Sequence, residues 1–442
     1  MPSTVIKRPV RFSPYTLCLM PFTFYLFAFL CSCSVQKQVS KMANNSLLQN
    51  PVLSTASVGI AIMNYDDKKF FYRHNSNKLF TPASNTKIIT SYAAMKYLGD
   101  SLDGIKYKIE KDTVCIEPTG DPSLLNPQFS FQPVYVFLKQ FHYIKIINPA
   151  FAENYWGAGW SWDDYPFSYM SPRSNLPLYG NRIWVQMHDK QLKVMPKKFS
   201  YETAPGSIFY SGFDFEKKFD ENKIIFKDGD NTDFEIPFTP YINDIAAMLA
   251  DTLNSNVHIG PDKQLHLANI VHTQPADSVL KIMMHNSDNF LAEQLLLMVS
   301  DKLCGTMNDK KIIDSLLKTD YADLPQAPQW VDGSGLSRLN LFSPENFVWV
   351  LDKMKTAFAW NRITTVFPSA DEGTLKGLYK NLNGKIYAKT GTLSNCIALS
   401  GYIITHKNRT LIFSVLINGH NRQPAEVRHA IENFIEQLAA KY

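Results

Sequence analysis

Ser84-Asn85-Thr86-Lys87, Ser287-Asp288-Asn289 and Lys389-Thr390-Gly391-Thr392 follow one another along a chain of 442 residues. Together they offer a hydroxyl nucleophile, groups that can move protons and a cationic seat for a carboxylate. Acyl transfer through a serine ester needs these three things. A serine hydroxyl is a poor nucleophile near neutral pH and requires an adjacent base. A lysine three residues on, one helical turn away, shares its face and can reach it. Partial burial beside another cation favours the neutral amine that such a base requires. Ser84 and Lys87 have this spacing. Ser287 can relay a proton to a leaving amine, and Asn289 can hold a substrate backbone. Lys389 and Thr390 can receive a terminal carboxylate, and the charge of Lys389 favours a neutral Lys87. Gly391 lets a bound chain approach the strand backbone. Asp288 is expected to turn away and support its loop.

No single motif carries this reading. S-x-x-K recurs at Ser34, Ser278 and Ser315, and in isolation it describes an N-cap serine with a solvated lysine. S-D-N alone describes a helix cap, and K-T-G alone a strand with an exposed lysine. The order carries the weight: S-D-N and K-T-G occur once each, both downstream of Ser84.

Distant motifs require elements that bring them together. Val58, Ile60 and Ile62 alternate within a strand expected over 57–65, with a partner over 69–72. Thr81-Pro82-Ala83 leads into a helix expected over 84–98 and ended by Gly99-Asp100. From 105 to 262 short strand-like runs recur at 113–116, 182–187, 192–195, 208–210, 223–226 and 234–238. Turn residues such as Asp228-Gly229-Asp230 separate them, which describes a β-rich insertion of one or two small domains. Helices return over 276–285 and 289–302, the latter carrying Phe290, Leu291, Leu295 and Met298 at helical spacing. Strands are expected over 385–388, 398–405 and 410–418, and a closing helix over 425–440. The catalytic domain is then α+β, formed by 51–104 and 263–442, with a sheet built from both ends of the chain.

Hydrophobic content of 45% and charged content of 19% are those of an ordinary globular protein. Residues 1–32 stand apart. Lys7, Arg8 and Arg11 precede an uncharged apolar run over 15–30, then Leu30-Cys31-Ser32-Cys33, the pattern of an export signal. The run is shorter than the roughly 20 residues of a spanning helix. Leu-x-Ser-Cys resembles a bacterial lipoprotein signal with Cys33 as the lipid-carrying residue, and 33–50 reads as a polar tether leading into a helix. An uncleaved anchor is the alternative, and either places the catalytic part outside the cytoplasm, tethered to a membrane. Without 1–32 the net charge of +5 loses three positive charges and falls to +2, so the basic balance gives no case for a nucleic-acid partner. Cys115, Cys304 and Cys396 are too few for a disulfide framework, although one pair could form. There is no C-x-x-C or H-E-x-x-H and the ten His are scattered, so neither a metal nor another cofactor is expected.

More than the three motifs carries a family resemblance. Gly120-Asp121-Pro122-Ser123-Leu124, Trp160-Ser161-Trp162-Asp163-Asp164, Asp332-Gly333-Ser334-Gly335-Leu336-Ser337-Arg338 and Gly373-Thr374-Leu375 are similar to segments of one family. This is the D-alanyl-D-alanine carboxypeptidase/endopeptidase family of low-molecular-mass serine penicillin-binding proteins, with a large insertion after the S-x-x-K helix. The resemblance spans about 55 to 420. It implies an α+β penicillin-binding/serine β-lactamase-like domain, an antiparallel sheet flanked by helices. It implies that Ser84 is acylated with Lys87 as its base, that Ser287 and Asn289 line the cleft, and that Lys389 and Thr390 receive the carboxylate of a terminal D-Ala. The N–H groups of Ser84 and Thr392 would form an oxyanion hole, roughly 3–4 kcal/mol per donor. Asp164, Tyr169 and Arg338 match positions that in relatives bind the free end of a diamino-acid side chain. Peptidoglycan stem peptides are then the substrate and β-lactams covalent inhibitors. A β-lactamase would share the motifs but needs rapid deacylation; no dedicated Glu for that water is evident, and a long insertion suits a polymer better. A non-catalytic peptidoglycan-binding or sensor protein has no need of a nucleophile–base pair.

Overall fold

The two ends of the chain meet in one sheet. The computed structural model describes residues 35–442 apart from 148–150, 152, 189–190, 198, 200, 205–214, 218–221, 223, 228–231 and 264–266. Five antiparallel strands lie side by side in the order Ile386–Leu393, Cys396–Ile404, Thr410–Asn418, Ser57–Asn64 and Phe70–His74. The middle strand reads TLIFSVLIN and is apolar on both faces because both are covered. Ile412 and Leu416 face one core with the helices Thr86–Tyr97, Asn289–Cys304 and Pro344–Ala357. Leu411, Phe413, Val415 and Ile417 face the other, against the C-terminal helix Pro424–Lys441. The expected α+β body with a sheet from both termini is what forms.

The stretch expected to be a polar tether does not hang free. Residues 35–43 are helical, and Val39, Ala43 and Leu47 are buried in the core beneath the C-terminal helix. Their spacing of four puts three apolar side chains on one face, a stripe masked by the mostly polar residues between them. The Tyr442 hydroxyl donates to the Val35 carbonyl at 3.3 Å, fastening the C-terminal residue to this segment. Residues 1–34, with the signal and Cys33, lie outside the described residues.

Among the described residues the β-rich region forms three sheets. The largest is mixed and runs Asn256–Ile259, Tyr143–Ile146, Thr113–Pro118, Ser101–Glu110, Asn269–Pro275. Its last two strands begin or end outside 105–262, because the outgoing and returning chain pair with each other before entering the catalytic body. Thr232–Pro237, Arg182–His188 and Gln191–Met195 form a second sheet; Tyr201–Ala204, Ile224–Lys227 and Phe215–Lys217 form a third. The helix Ile242–Leu253 packs into the same core. The strand expected over 208–210 lies outside the described residues, as does Lys223. Two buried arginines tie this region to the catalytic body. Arg182 pairs with Asp288 at 3.0 Å and Arg173 with Asp309 at 2.6 Å. Cys115, Cys304 and Cys396 are free thiols.

Candidate active site

Ala83–Asn85 forms one tight 3-10 turn and Thr86–Tyr97 continues as the α-helix, so Ser84 stands at the very start of the expected helix. Ala83 has φ 49°, a left-handed conformation that costs a residue with a Cβ. Gly335 packs directly on it, where an added Cβ would lie 1.9 Å from the Ala83 carbonyl oxygen. Asn85 donates to Ser400 Oγ at 2.7 Å, and Ser400 is the cross-strand partner of Lys389. One buried hydrogen bond thus sets the first motif against the third. Gly391 completes the fit: a Cβ there would lie 2.6 Å from the Pro82 oxygen and 3.1 Å from the Ser84 nitrogen.

Lys87 Nζ donates to Ser84 Oγ at 3.0 Å, to Asn289 Oδ1 at 2.6 Å and to the Ser334 carbonyl at 2.7 Å. Two of these three partners are oxygens that can only accept. When Lys87 is a neutral amine, its two remaining N–H groups are claimed by Asn289 and Ser334, and its lone pair is left facing the hydroxyl of Ser84. Complete burial lowers the Lys87 pKa to about 8, while the negative charges of Asp332, Asp288 and Glu293 oppose the fall. Lys389 is equally buried and donates to Ser287 Oγ at 2.9 Å and to the Thr390 carbonyl at 2.8 Å. Burial, then the charge of Lys87, pushes its pKa well below the ordinary lysine value.

Ser287 sits at φ 56° between the helices Ala276–Asn286 and Asn289–Cys304. Asp288 caps the second of them through the Leu291 N–H at 3.0 Å and turns its other oxygen to Arg182. It supports the loop, as expected. Ser84, Ser287, Asn289, Thr392, Asp164, Tyr169 and Arg338 all line one open cleft of about 550 Å³. Of the third motif Thr392 lines it, whereas Lys389, Thr390 and Gly391 do not. Tyr169 donates its hydroxyl to Asp164 at 2.7 Å, and its carbonyl accepts from Asn289 Nδ2 at 2.9 Å. Arg338 donates to the Ser394 carbonyl at 3.0 Å.

Some residues that shape the site are given no role by the sequence. The carboxylate of Asp332 accepts from the N–H groups of Gly335 and Ser337, from Asn340 and from Trp160, and so folds the 332–340 loop that delivers the Ser334 carbonyl to Lys87. Glu293 accepts the Ser334 N–H at 2.8 Å. Arg428, on the C-terminal helix, donates to Thr392 Oγ1 at 3.0 Å. Glu293 leaves a signal in the sequence, a Glu-Gln pair inside the apolar run from Phe290 to Val299; Arg428 leaves none. Of the four further segments carrying the resemblance, the 160–164 and 332–338 stretches reach the cleft. Gly120 is held instead by Gln294 at 2.8 Å, and Leu375 is buried in a core away from it.

A serine and a buried lysine at the edge of an antiparallel sheet, with a second buried lysine hydrogen-bonded to a cleft serine, define a serine acyl-enzyme hydrolase. The chain belongs to the D-Ala-D-Ala carboxypeptidase 3 (S13) family, whose model matches residues 40–203 and 248–442. It is 23% identical over 455 residues to the D-alanyl-D-alanine carboxypeptidase DacB of Haemophilus influenzae, covering 90% of this chain and 92% of that protein. It is 23% identical over 467 residues to the D-alanyl-D-alanine carboxypeptidase of an Actinomadura species, covering 90% and 84%. Its fold is that of penicillin binding protein 4 (dacB) from Haemophilus influenzae, with a TM-score of 0.71 at 21% identity over 90% of this chain and 98% of that one. A second structure of that protein holds a β-lactam.

Proposed function

We propose that this chain is a serine D-Ala-D-Ala carboxypeptidase and D,D-endopeptidase that acts on peptidoglycan stem peptides through an acyl-enzyme on Ser84. The observation that carries it is the Ser84–Lys87 contact of 3.0 Å at a lysine shielded from water and poised near pH 8. Lys87 takes the proton as Ser84 Oγ attacks the carbonyl of the penultimate D-Ala. The peptide N–H groups of Ser84 and Thr392 receive the developing oxyanion. Ser287, hydrogen-bonded to Lys389, passes a proton to the departing amine, and D-Ala leaves. Water then attacks the ester. Cutting a D-Ala–diamino-acid cross-link requires no change to this sequence, since that bond too has a carboxylate beside the leaving nitrogen. Asp164, Tyr169 and Arg338 offer charged and polar groups to the diamino-acid end of the stem.

Substrate binding adjusts both lysines in the useful direction. A carboxylate arriving at Lys389 favours its cation, and that cation favours a neutral Lys87. β-Lactams, which present a carboxylate beside a strained amide, acylate the same serine. The test is intact mass after exposure to benzylpenicillin: the wild-type chain gains one penicillin and Ser84→Ala gains none. A covalent adduct on Ser84→Ala removes the reading. We further infer from residues 1–33 that the chain is exported and lipid-anchored through Cys33, on the periplasmic side of a membrane. Metabolic palmitate labelling that is lost in Cys33→Ala supports this, and labelling that persists overturns it.

A further inference from the structure

We infer that Glu293 is a positioning residue for the general base: its carboxyl holds the Ser334 peptide so that the Ser334 carbonyl fixes Lys87 with its lone pair toward Ser84. The inference rests on the proposed role of Lys87. Ser334 is gripped at both ends of its backbone. Its N–H donates to Glu293 Oε1 at 2.8 Å, and its carbonyl accepts from Lys87 Nζ at 2.7 Å. The same helix therefore supplies Lys87 with two supports, Asn289 directly and Glu293 through the peptide.

Glu293 has no exposed surface, and its position is fixed from behind. Oε2 makes no hydrogen bond and lies 3.5 Å from Arg173 Nη1, and Arg173 is itself held by Asp309 at 2.6 Å. The charged groups facing Glu293 are Arg173, Asp309, Asp332 and Lys87. Burial, then the charge of Asp332, raises the Glu293 pKa to about 8, and Arg173 opposes the rise. Glu293 thus titrates in the range of the lysine it positions, and its negative charge, once formed, favours the protonated Lys87. A carboxyl kept only to neutralise Arg173 would have no reason to reach the Ser334 N–H.

The two functions separate in the choice of variant. Glu293→Gln keeps an acceptor at the same reach and removes the charge. Glu293→Asp keeps the charge and draws the oxygens back from Ser334. The measurement is the rate of acylation by benzylpenicillin against pH, on the full chain, with folding checked by thermal melting. Glu293→Gln should lower the plateau rate a few-fold and move the inflection to lower pH. Glu293→Asp should lower the plateau about 100-fold, the cost of a displaced catalytic group. Asp retaining more activity than Gln, or both matching wild type in rate and pH profile, overturns the inference. Should neither variant fold, the intact protein labelled with 15N-serine decides: the Ser334 amide must shift as Glu293 titrates, and an amide unmoved between pH 6 and 9 overturns it. Failure of the underlying reading looks different, because Lys87→Ala would then still be acylated at the wild-type rate.

Discussion

The pockets around Lys87 and Lys389 are both sealed from water, but they are furnished differently. Around Lys87 stand three hydrogen-bond acceptors and the carboxyl groups of Asp332, Asp288 and Glu293, which hold its pKa up to about 8 against burial. Around Lys389 stand one hydroxyl and one carbonyl, and the charge acting on it is the repulsive one of Lys87. The protein supplies the first lysine with its own counter-charges and leaves the second without. A base must work in the free enzyme and needs a pKa near the ambient pH. A carboxylate receptor gains by being short of negative charge until its ligand arrives.

Breaking the first pocket should have the largest effect. Lys87→Ala removes the proton acceptor and should lower acylation by about 10²–10⁴-fold, as read by stopped-flow with a chromogenic β-lactam. In the wild-type chain, acylation should rise with pH through about 8, because Lys87 must lose its proton before it can act. At pH 7 about a tenth of the molecules then carry the neutral amine. A rate independent of pH from 6 to 9 would sink the assignment of Lys87 as base.

Breaking the second pocket should cost less and depend on the substrate. Lys389→Ala should cost about 2–5 kcal/mol in kcat/KM toward a peptide ending in D-Ala-D-Ala, the range for removing one partner of a buried charge pair. The same substitution should cost much less when the peptide ends in D-alaninamide, which brings no carboxylate. A double cycle over enzyme and substrate isolates the interaction. Equal losses for both peptides would mean that Lys389 acts on Ser287 alone.

The two pockets were unequally legible in the sequence. Ser84, Lys87, Ser287, Asn289 and Lys389 declare themselves because their chemistry is local: a spacing of three on a helix, a cap and a strand. The sheet also declares itself, since alternation at Val58, Ile60 and Ile62 and the apolar run at 410–418 follow from burial of strand faces. The counter-charges of Lys87 are a matter of long-range placement. Asp332 earns its position by hydrogen bonds to Gly335, Ser337, Asn340 and Trp160, and no periodicity encodes that. Arg173 and Arg182 belong to the β-rich insertion and are both buried against carboxylates of the catalytic body, a placement that no local pattern encodes. The helix over 35–43 was hidden for another reason. Val39, Ala43 and Leu47 need the C-terminal helix to cover them, and only the fold brings that helix to them.

The smallest expected effect tests the rim between the pockets. Arg428 donates to Thr392 Oγ1 across an exposed contact of 3.0 Å, and the Thr392 backbone is one proposed donor to the oxyanion. A hydrogen bond of this kind contributes about 0.5–1.5 kcal/mol, and exposure places it at the low end. Arg428→Ala should therefore lower kcat/KM for D-Ala-D-Ala peptides only a few-fold. The residual effect should separate into two parts. Loss of a positive charge near the cleft slows arrival of an anionic substrate, and this part should shrink as salt is raised, because exposed charges are screened. Loss of the hydroxyl contact is indifferent to salt and should be reproduced by Thr392→Val. A defect in Arg428→Ala that vanishes at high salt would make Arg428 a steering charge and leave Thr392 held by its strand alone.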